Sequence, residues 1–382
     1  MTGLGVLLAK APLTSISYWG IDIYTFRAAA KAIMMGADPY HEPNIVRFAD
    51  GATIGNIHNY IYAPYFAFIL RPLAWLSPET ASRAWFALNL VLFFSSVGLL
   101  LSAIRWHPAS SQFIAVMSGL ILFPPLRTTL TIGQSTILLL FFLSLSLFFF
   151  SRQRPLLSGL VLSLGLFKPH LFPILLLFAF SRQWQWLLGV GMGLTILNLP
   201  FFNWLDSWFA AATITHSANL ATGQCFQMVS LVSLLDCTLP WPNWLITGLL
   251  SAISLVLLIA IWQATPSGGN SSETQVQTRA RDLAVLITVS ALLIDHTRVA
   301  DQMLLVFPLL VIWRDWFVVK SPVARRIAVA LMLFIYILPY SLDILGSKQI
   351  AFMLPFWYIG LTGAVLGLLV LEWKAYREVG LI

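Results

Sequence analysis

A chain of 382 residues that is 59% hydrophobic and 10% charged, with a mean hydropathy of +0.84, lies outside the composition of soluble globular proteins. Its apolar residues run continuously instead of alternating. That excludes a membrane β-barrel and leaves an all-α, polytopic bundle, because backbone in hydrocarbon must satisfy its own hydrogen bonds. The net charge of +7 comes largely from Lys and Arg in short segments between apolar runs, which marks topology and argues against a nucleic-acid partner.

The first apolar run, residues 3–16, is interrupted by Lys10 and Pro12 and falls short of the roughly 20 residues needed to cross a bilayer. Either it is a marginal first span or the true first helix is missing from this chain. Residues 18–40 then read YWGIDIYTFRAAAKAIMMGADPY. Gly20 precedes Asp22. Tyr24, Arg27 and Lys31 recur at helical spacing opposite Ala28, Ala29, Ala32 and Ile33, and Gly36 with Asp38-Pro39-Tyr40 turns the chain. The pattern predicts an interfacial amphipathic helix, with a carboxylate at each end, in an outer loop over 20–60. An aromatic patch of Tyr60, Tyr62 and Tyr65 follows. Residues 63–76 are apolar but short and contain Arg71-Pro72, so they read as re-entrant or interfacial.

Further apolar runs cover 84–104, 113–124, 135–150, 156–167, 171–180, 186–202, 244–262, 283–294, 303–313, 327–339 and 351–371. They predict one integral membrane domain over 1–382 with about 11–12 spans, several needing tilt or bilayer thinning. Residues 203–243 form an outer loop. Residues 263–281, rich in polar residues, form a flexible cytoplasmic loop. Placing the Asp22 loop outside, with 63–76 not crossing, puts Arg105, Arg152, Arg154, Arg182, Arg279, Arg281, Arg314, Lys320, Arg325, Arg326, Lys374 and Arg377 inside, as the positive-inside rule requires; letting 63–76 cross and merging 156–180 into one span moves Arg105, Arg152 and Arg154 outside, and the first arrangement is preferred. The same arrangement gathers Asp22, Asp38, the tyrosine patch, Gly133-Gln134, Lys168, His216, and the run Asp295-His296-Thr297-Arg298 with Asp301 on the outer face. Polar residues at helix ends on one face of a bundle read as one site.

Asp22 is the candidate general base. Glycosyl transfer from a sugar phosphate needs a carboxylate beside the incoming hydroxyl, while phosphate leaves with little acid help. The alternative is that Asp22 caps its helix. His296, Arg298 and Lys168 are the candidate phosphate binders, since a cation near hydrocarbon is costly unless an anion meets it. Each has a plainer role too. Arg298 has Asp295 and Asp301 three residues away, Lys168 can snorkel beside Pro169, and His296 can bond backbone. Gln134 either bonds a sugar hydroxyl or caps the following helix, and Trp19, Tyr24 and Tyr62 are close enough in sequence to stack on a sugar or isoprenoid. Cys225 and Cys237 are either bonded or two free thiols. No metal or cofactor is predicted, because no zinc, phosphate-loop or paired-carboxylate motif is present.

The order of these motifs resembles glycosyltransferase family 87. The resemblance is carried by Asp22-x-Tyr24, Ala28-Ala29, Gly36-x-Asp38-Pro39-Tyr40, Tyr62-x-Pro64, Trp85 with Asn89, Gly133-Gln134, Lys168-Pro169, and His296 before an apolar run ending near Pro308. It extends from Asp22 to about Trp313. It implies a GT-C bundle and an inverting transfer of a hexose, often mannose, from a polyprenyl-phosphate donor; a lipid or glycan acceptor and a bacterial plasma membrane are expected. By position it implies Asp22 as base and His296 near the donor phosphate. Asp38, Tyr40, Tyr62 and Gln134 are expected to contact the sugar or acceptor, and the protein is expected to be a monomer among membrane lipids. Ala63 stands where a second proline is common, and Ser135-Thr136 where an asparagine often follows Gly-Gln. Readings from other classes are a lipid or sugar transporter, which needs polar groups spread through the membrane depth, and a non-catalytic membrane subunit.

Overall fold

The computed structural model describes residues 20–49, 59–168, 184–211 and 299–318, with parts of 284–289 and 359–369. Among the described residues every regular element is helical. Two compact units are present, the first made of Met1–Leu99, Arg127–Pro169 and Gln185–Thr222, the second of Leu100–Leu126, His170–Trp184 and Gly223–Ile382. Pro78–Ala103 and Trp184–Ala211 are long and apolar enough to cross a membrane. Ser110–Leu122 with Pro124–Ile132 makes a third candidate if that bent pair is one broken span. The protein is a helical membrane protein.

In the first unit, helix α1 (Ile21–Met34) begins after Gly20, which is left-handed with φ 75°. It ends where Gly36 is also left-handed: the Gly36 N–H donates to Ile33 O at 3.1 Å and the Ala37 N–H to Ala32 O at 2.9 Å. This is a Schellman ending, and it accounts for the glycine there. Helices α2 (Glu42–Phe48), α3 (Pro64–Ile69) and α4 (Arg71–Ala74) all pack on α1. Each starts with proline in its first turn, and α3 and α4 break at Leu70. Two helices of 6 and 4 residues do not cross a bilayer, in keeping with the reading of 63–76.

Packing on several sides encloses α1 more than its sequence predicts. Arg27, expected on the wet face with Tyr24 and Lys31, is buried and donates from Nε to Leu76 O at 2.8 Å. The polar stripe narrows to Tyr24 and Lys31. A helical wheel shows only a helix's own periodicity, and the carbonyl that receives Arg27 lies 49 residues away.

Beyond α5 (Pro78–Ala103), α6 (Ser110–Leu122) and α7 (Pro124–Ile132), helices α8 (Thr136–Ser151) and α9 (Pro155–Gly165) form a hairpin. Gln153 turns it with φ 59°, between exposed Arg152 and Arg154. Helix α10 (Trp184–Asn198) continues through a 3-10 turn, Leu199–Trp204. It lies so close to α9 that a Cβ on Gly159 would sit 2.0 Å from Trp186 O, one on Gly189 2.2 Å from Leu156 O, and one on Gly193 2.0 Å from Ser163 Oγ. Small residues at such a crossing let helix backbones approach. Trp186 Nε1 adds a hydrogen bond to Ser158 Oγ at 3.1 Å.

In the second unit, a 3-10 turn (Val299–Leu305) leads into α11 (Val306–Val318). Arg314 is buried there, 2.6 Å from Asp315 Oδ1, and it donates from Nη1 to Ile104 O at 3.2 Å. Arg314 is therefore a paired internal charge, not a loop cation marking the inner face. Residues 1–19, the runs at 171–180, 244–262 and 327–339, the polar stretch 263–281, most of the loop at 203–243, and Cys225 and Cys237 lie outside the described residues.

Replacing Gly159 by Ala drives a carbon into carbonyl oxygen that cannot step aside, so it is expected to destabilise the protein by about 1–3 kcal/mol. Gly191, with open space around it, is the control and should tolerate Ala in the same thermal-unfolding series. Leaving Arg314 buried without its acid, by Asp315→Leu, is expected to cost about 3–5 kcal/mol in denaturant unfolding, more than Arg314→Met with Asp315→Leu together.

Candidate active site

Asp22 stands in the first turn of α1, where the positive end of the helix favours a carboxylate. The N-cap position belongs to Gly20, which has no side chain to cap with. Asp22 is half-buried, with Oδ2 shielded from solvent. Its position is set by backbone. The Gly20 N–H donates to Thr131 O at 2.9 Å, and Gly133, left-handed with φ 75°, comes so near that a Cβ on it would lie 2.9 Å from Ile23 Cγ1 and 3.1 Å from Gly20 Cα. From the far side Trp85 Nε1 donates to Gly133 O at 2.8 Å, while Asn89 Nδ2 donates to Trp85 O at 2.8 Å. The Gly133 turn is thus held between the start of α1 and a buried indole. Trp85 and Asn89 were visible in the sequence only as a pattern; the structure gives them this task.

The residue after Gly133, Gln134, joins two other expected site residues. Gln134 Oε1 accepts from Lys168 Nζ at 3.0 Å and from Tyr62 OH at 3.3 Å. Lys168 also donates to Thr136 Oγ1 at 3.2 Å, and its ammonium lies 5.5 Å from the Tyr62 ring centre. Lys168 is 5% exposed, so it does not snorkel to water. Thr136 is a contact that sequence reasoning passed over, although it sits where the family pattern departs from asparagine. Gln134, Thr136 and Lys168 meet because the α8–α9 hairpin brings residue 168 back to the end of α8 where residue 136 begins.

Tyr62 is also the hub of an aromatic cluster. Phe26 of α1 meets Tyr62, Phe66 and Trp85 edge-on at 5.1, 5.5 and 6.1 Å, and Phe66 stacks on Phe167 at 4.1 Å. Tyr40 OH donates to Tyr62 O at 2.7 Å, and Tyr60 lies 5.6 Å from both Tyr40 and Tyr62. Burial raises the Tyr40 hydroxyl above the ordinary phenol range, with the Asp38 charge adding to it, so this donor stays protonated at any working pH. Asp38 has a local job: Oδ1 accepts from the Tyr40 N–H at 2.8 Å, and its carbonyl accepts from Asn44 Nδ2 at 3.0 Å. Asp38 and Tyr40 therefore reach Tyr62 through Tyr40 alone. Tyr24, partly buried and facing Glu79, has its hydroxyl shifted upward first by desolvation and then by that carboxylate.

His296 and Arg298 lie outside the described residues. Asp301 is buried in the second unit. Among the described residues no group of three His, Cys, Asp or Glu side chains is placed to hold a metal ion.

The profile of glycosyltransferase family 87 matches residues 60–294, more than half of the chain. The chain belongs to glycosyltransferase family 87. As a family 87 member it is a glycosyltransferase, acting on a sugar donor and an acceptor. The matched region holds Tyr62, Trp85, Gln134 and Lys168; Asp22, Asp38, Tyr40, His296 and Arg298 lie beyond its two ends. No curated protein and no solved structure gives a significant match.

The glycines of the turn provide a test. In Gly133→Ala the new carbon meets both α1 and a positive φ, so the start of α1 must shift, and glycosyl transfer is expected to fall about 100-fold. Gly36→Ala meets no atom within 4 Å and carries only the left-handed strain of about 1 kcal/mol, so it should lower the unfolding midpoint and leave transfer intact. Equal loss of transfer in both would detach the Gly133 turn from catalysis.

Proposed function

We propose that this family 87 enzyme moves a hexose, mannose foremost, from a polyprenyl-phosphate donor to a hydroxyl of a lipid-linked or glycan acceptor on the outer face of a bacterial plasma membrane, with inversion. Asp22 takes the proton from the acceptor hydroxyl. That oxygen attacks the anomeric carbon as the carbon–oxygen bond to phosphate breaks, and polyprenyl phosphate leaves with the bonding pair. Tyr40, Tyr62 and Gln134 line the sugar and acceptor side, Asp38 shapes that side through its turn, and Lys168 with His296 and Arg298 serves the phosphate.

The observation that carries this reading is the seating of Asp22 and of the Lys168–Gln134–Tyr62 cluster on one turn, residues 131–136, of one compact unit. A shielded carboxylate, a buried ammonium and hydrogen-bonding groups carried by one turn are what a single displacement at a sugar phosphate calls for. The α8–α9 hairpin supports the outer-face assignment. Its exposed Arg152 and Arg154 lie at the opposite end of α8 from this turn, about 24 Å away at the rise of an α-helix. Cations at that end favour the cytoplasm, which leaves the turn facing outward.

In the test, purified protein transfers radiolabelled sugar from polyprenyl-phosphate-mannose, and in parallel from glucose and arabinose donors, to a membrane lipid extract. Asp22→Asn keeps the shape and removes the base. It is expected to lower transfer by about 1,000-fold while donor binding survives. Undiminished transfer by Asp22→Asn would remove Asp22 from the chemistry, and preference for another donor would replace mannose.

A further inference from the structure

We propose that Gln134 contacts the phosphate of the donor directly, as a hydrogen-bond donor, and that Lys168 is the positioning residue that holds its carboxamide in the donating sense. This rests on the preceding reading of the donor as a polyprenyl phosphate, and it moves Gln134 from the sugar side to the phosphate, with Lys168 serving the phosphate through it. A glutamine amide has two faces of nearly equal shape, one accepting and one donating, and only its neighbours decide which way it lies. Lys168 decides it here. An ammonium can only donate, so the atom 3.0 Å from Lys168 Nζ is the amide oxygen. The Tyr62 hydroxyl donates to the same oxygen at 3.3 Å, which fills its two lone pairs. The amide nitrogen is left with both its hydrogens, and among the described residues no group accepts from it. Gln134 is only 5% exposed, and a ligand oxygen that reached the amide nitrogen would meet both donors.

Three features make that oxygen anionic. Hydrogen bonding of the amide oxygen to a cation draws electron density from the carboxamide and strengthens its N–H groups as donors. Helix α8 begins two residues on, at Thr136, so the positive end of its dipole lies at the same turn. Ser135 between them is fully buried, and its Oγ has no hydrogen-bond partner among the described residues, so the turn holds a further unused hydroxyl. A sugar hydroxyl would gain little from such a field, whereas a phosphoryl oxygen gains from every part of it.

The experiment is equilibrium binding of fluorescent polyprenyl phosphate and of the matching polyprenol, which lacks phosphate, to the full chain in lipid nanodiscs, with sugar transfer measured on the same preparations. Gln134→Glu keeps oxygens for Lys168 and Tyr62 but has no N–H to give. It is expected to bind polyprenyl phosphate at least about tenfold more weakly, the worth of one charge-assisted hydrogen bond, with polyprenol binding unchanged as the sign of an intact fold. Lys168→Met should weaken phosphate binding and raise the donor KM by a larger factor than it lowers kcat, and Lys168→Arg should restore most of both. Phosphate binding by Gln134→Glu at the wild-type level, in a wild type that transfers sugar, overturns this assignment alone, as does an equal loss for the polyprenol. Wild-type phosphate affinity in Lys168→Met overturns the positioning role. A wild type that neither binds polyprenyl phosphate nor transfers from it overturns the donor reading and this assignment with it.

Discussion

Two left-handed glycines in contact determine where the candidate site of this protein lies. Gly20 and Gly133 both have φ 75°, and they approach so closely that a methyl group on Gly133 would lie 3.1 Å from the Cα of Gly20. Neither turn can open without losing the Gly20 N–H bond to Thr131 O, and neither can carry a larger residue without strain. Everything else in the site hangs from this point: Asp22 two residues beyond one glycine, Gln134 one residue beyond the other, and Trp85 holding the second glycine by its carbonyl. Backbone contacts are a sound basis for such a site, since they have fewer degrees of freedom than side chains and do not drift with rotamers.

Aromatic packing makes the arrangement stiff. Phe26 lies one helical turn along α1 from Asp22 and is held edge-on by Tyr62, Phe66 and Trp85, the same tyrosine and tryptophan that bond Gln134 and Gly133. Edge-on ring contacts prefer particular geometries, each worth about 0.5–1.5 kcal/mol beyond the area buried. Trp208 adds a bond from Nε1 to Ile61 O at 2.9 Å, and Tyr65 OH donates to Ser163 O at 2.9 Å. The 60–66 segment is thereby tied to both α9 and the end of the α10 span. A shift of one of these rings would be felt at Asp22 and at Lys168 together.

How much of this was legible in the sequence depended on how far apart the partners lie along the chain. Helix α1, its ending at Gly36 and the broken segment after Ala63 follow from glycine, proline and apolar spacing within a few residues. The meeting of Tyr62, Gln134 and Lys168 was legible only as three polar groups expected at one face, because topology places helix ends but not hydrogen bonds. Arg27, Trp85 and Thr136 were harder. Their partners lie 49, 48 and 32 residues away, and nothing local distinguishes a buried arginine on a carbonyl from an exposed one. Arg314 misled for the opposite reason: its buried partner is the next residue, and charge counting in loops takes no account of a helix that keeps its cation inside.

The hairpin of α8 and α9 links topology to chemistry. Its turn carries exposed arginines, and its open end carries Gln134, Thr136 and buried Lys168. One pair of helices thus separates two exposed arginines from one buried lysine. A lysine that shared the turn with Arg152 and Arg154 would be solvated and screened, and it would hold a carboxamide weakly. Placed at the far end, under Tyr62 and against Thr136, the same ammonium acts at short range in a medium of low dielectric, where an ionic hydrogen bond is strongest and a misplaced one most costly. That cost explains why Lys168 has so many contacts. A buried cation in a membrane protein must be held by neighbours that cannot move, and the neighbours here are anchored to the same glycine contact that positions Asp22.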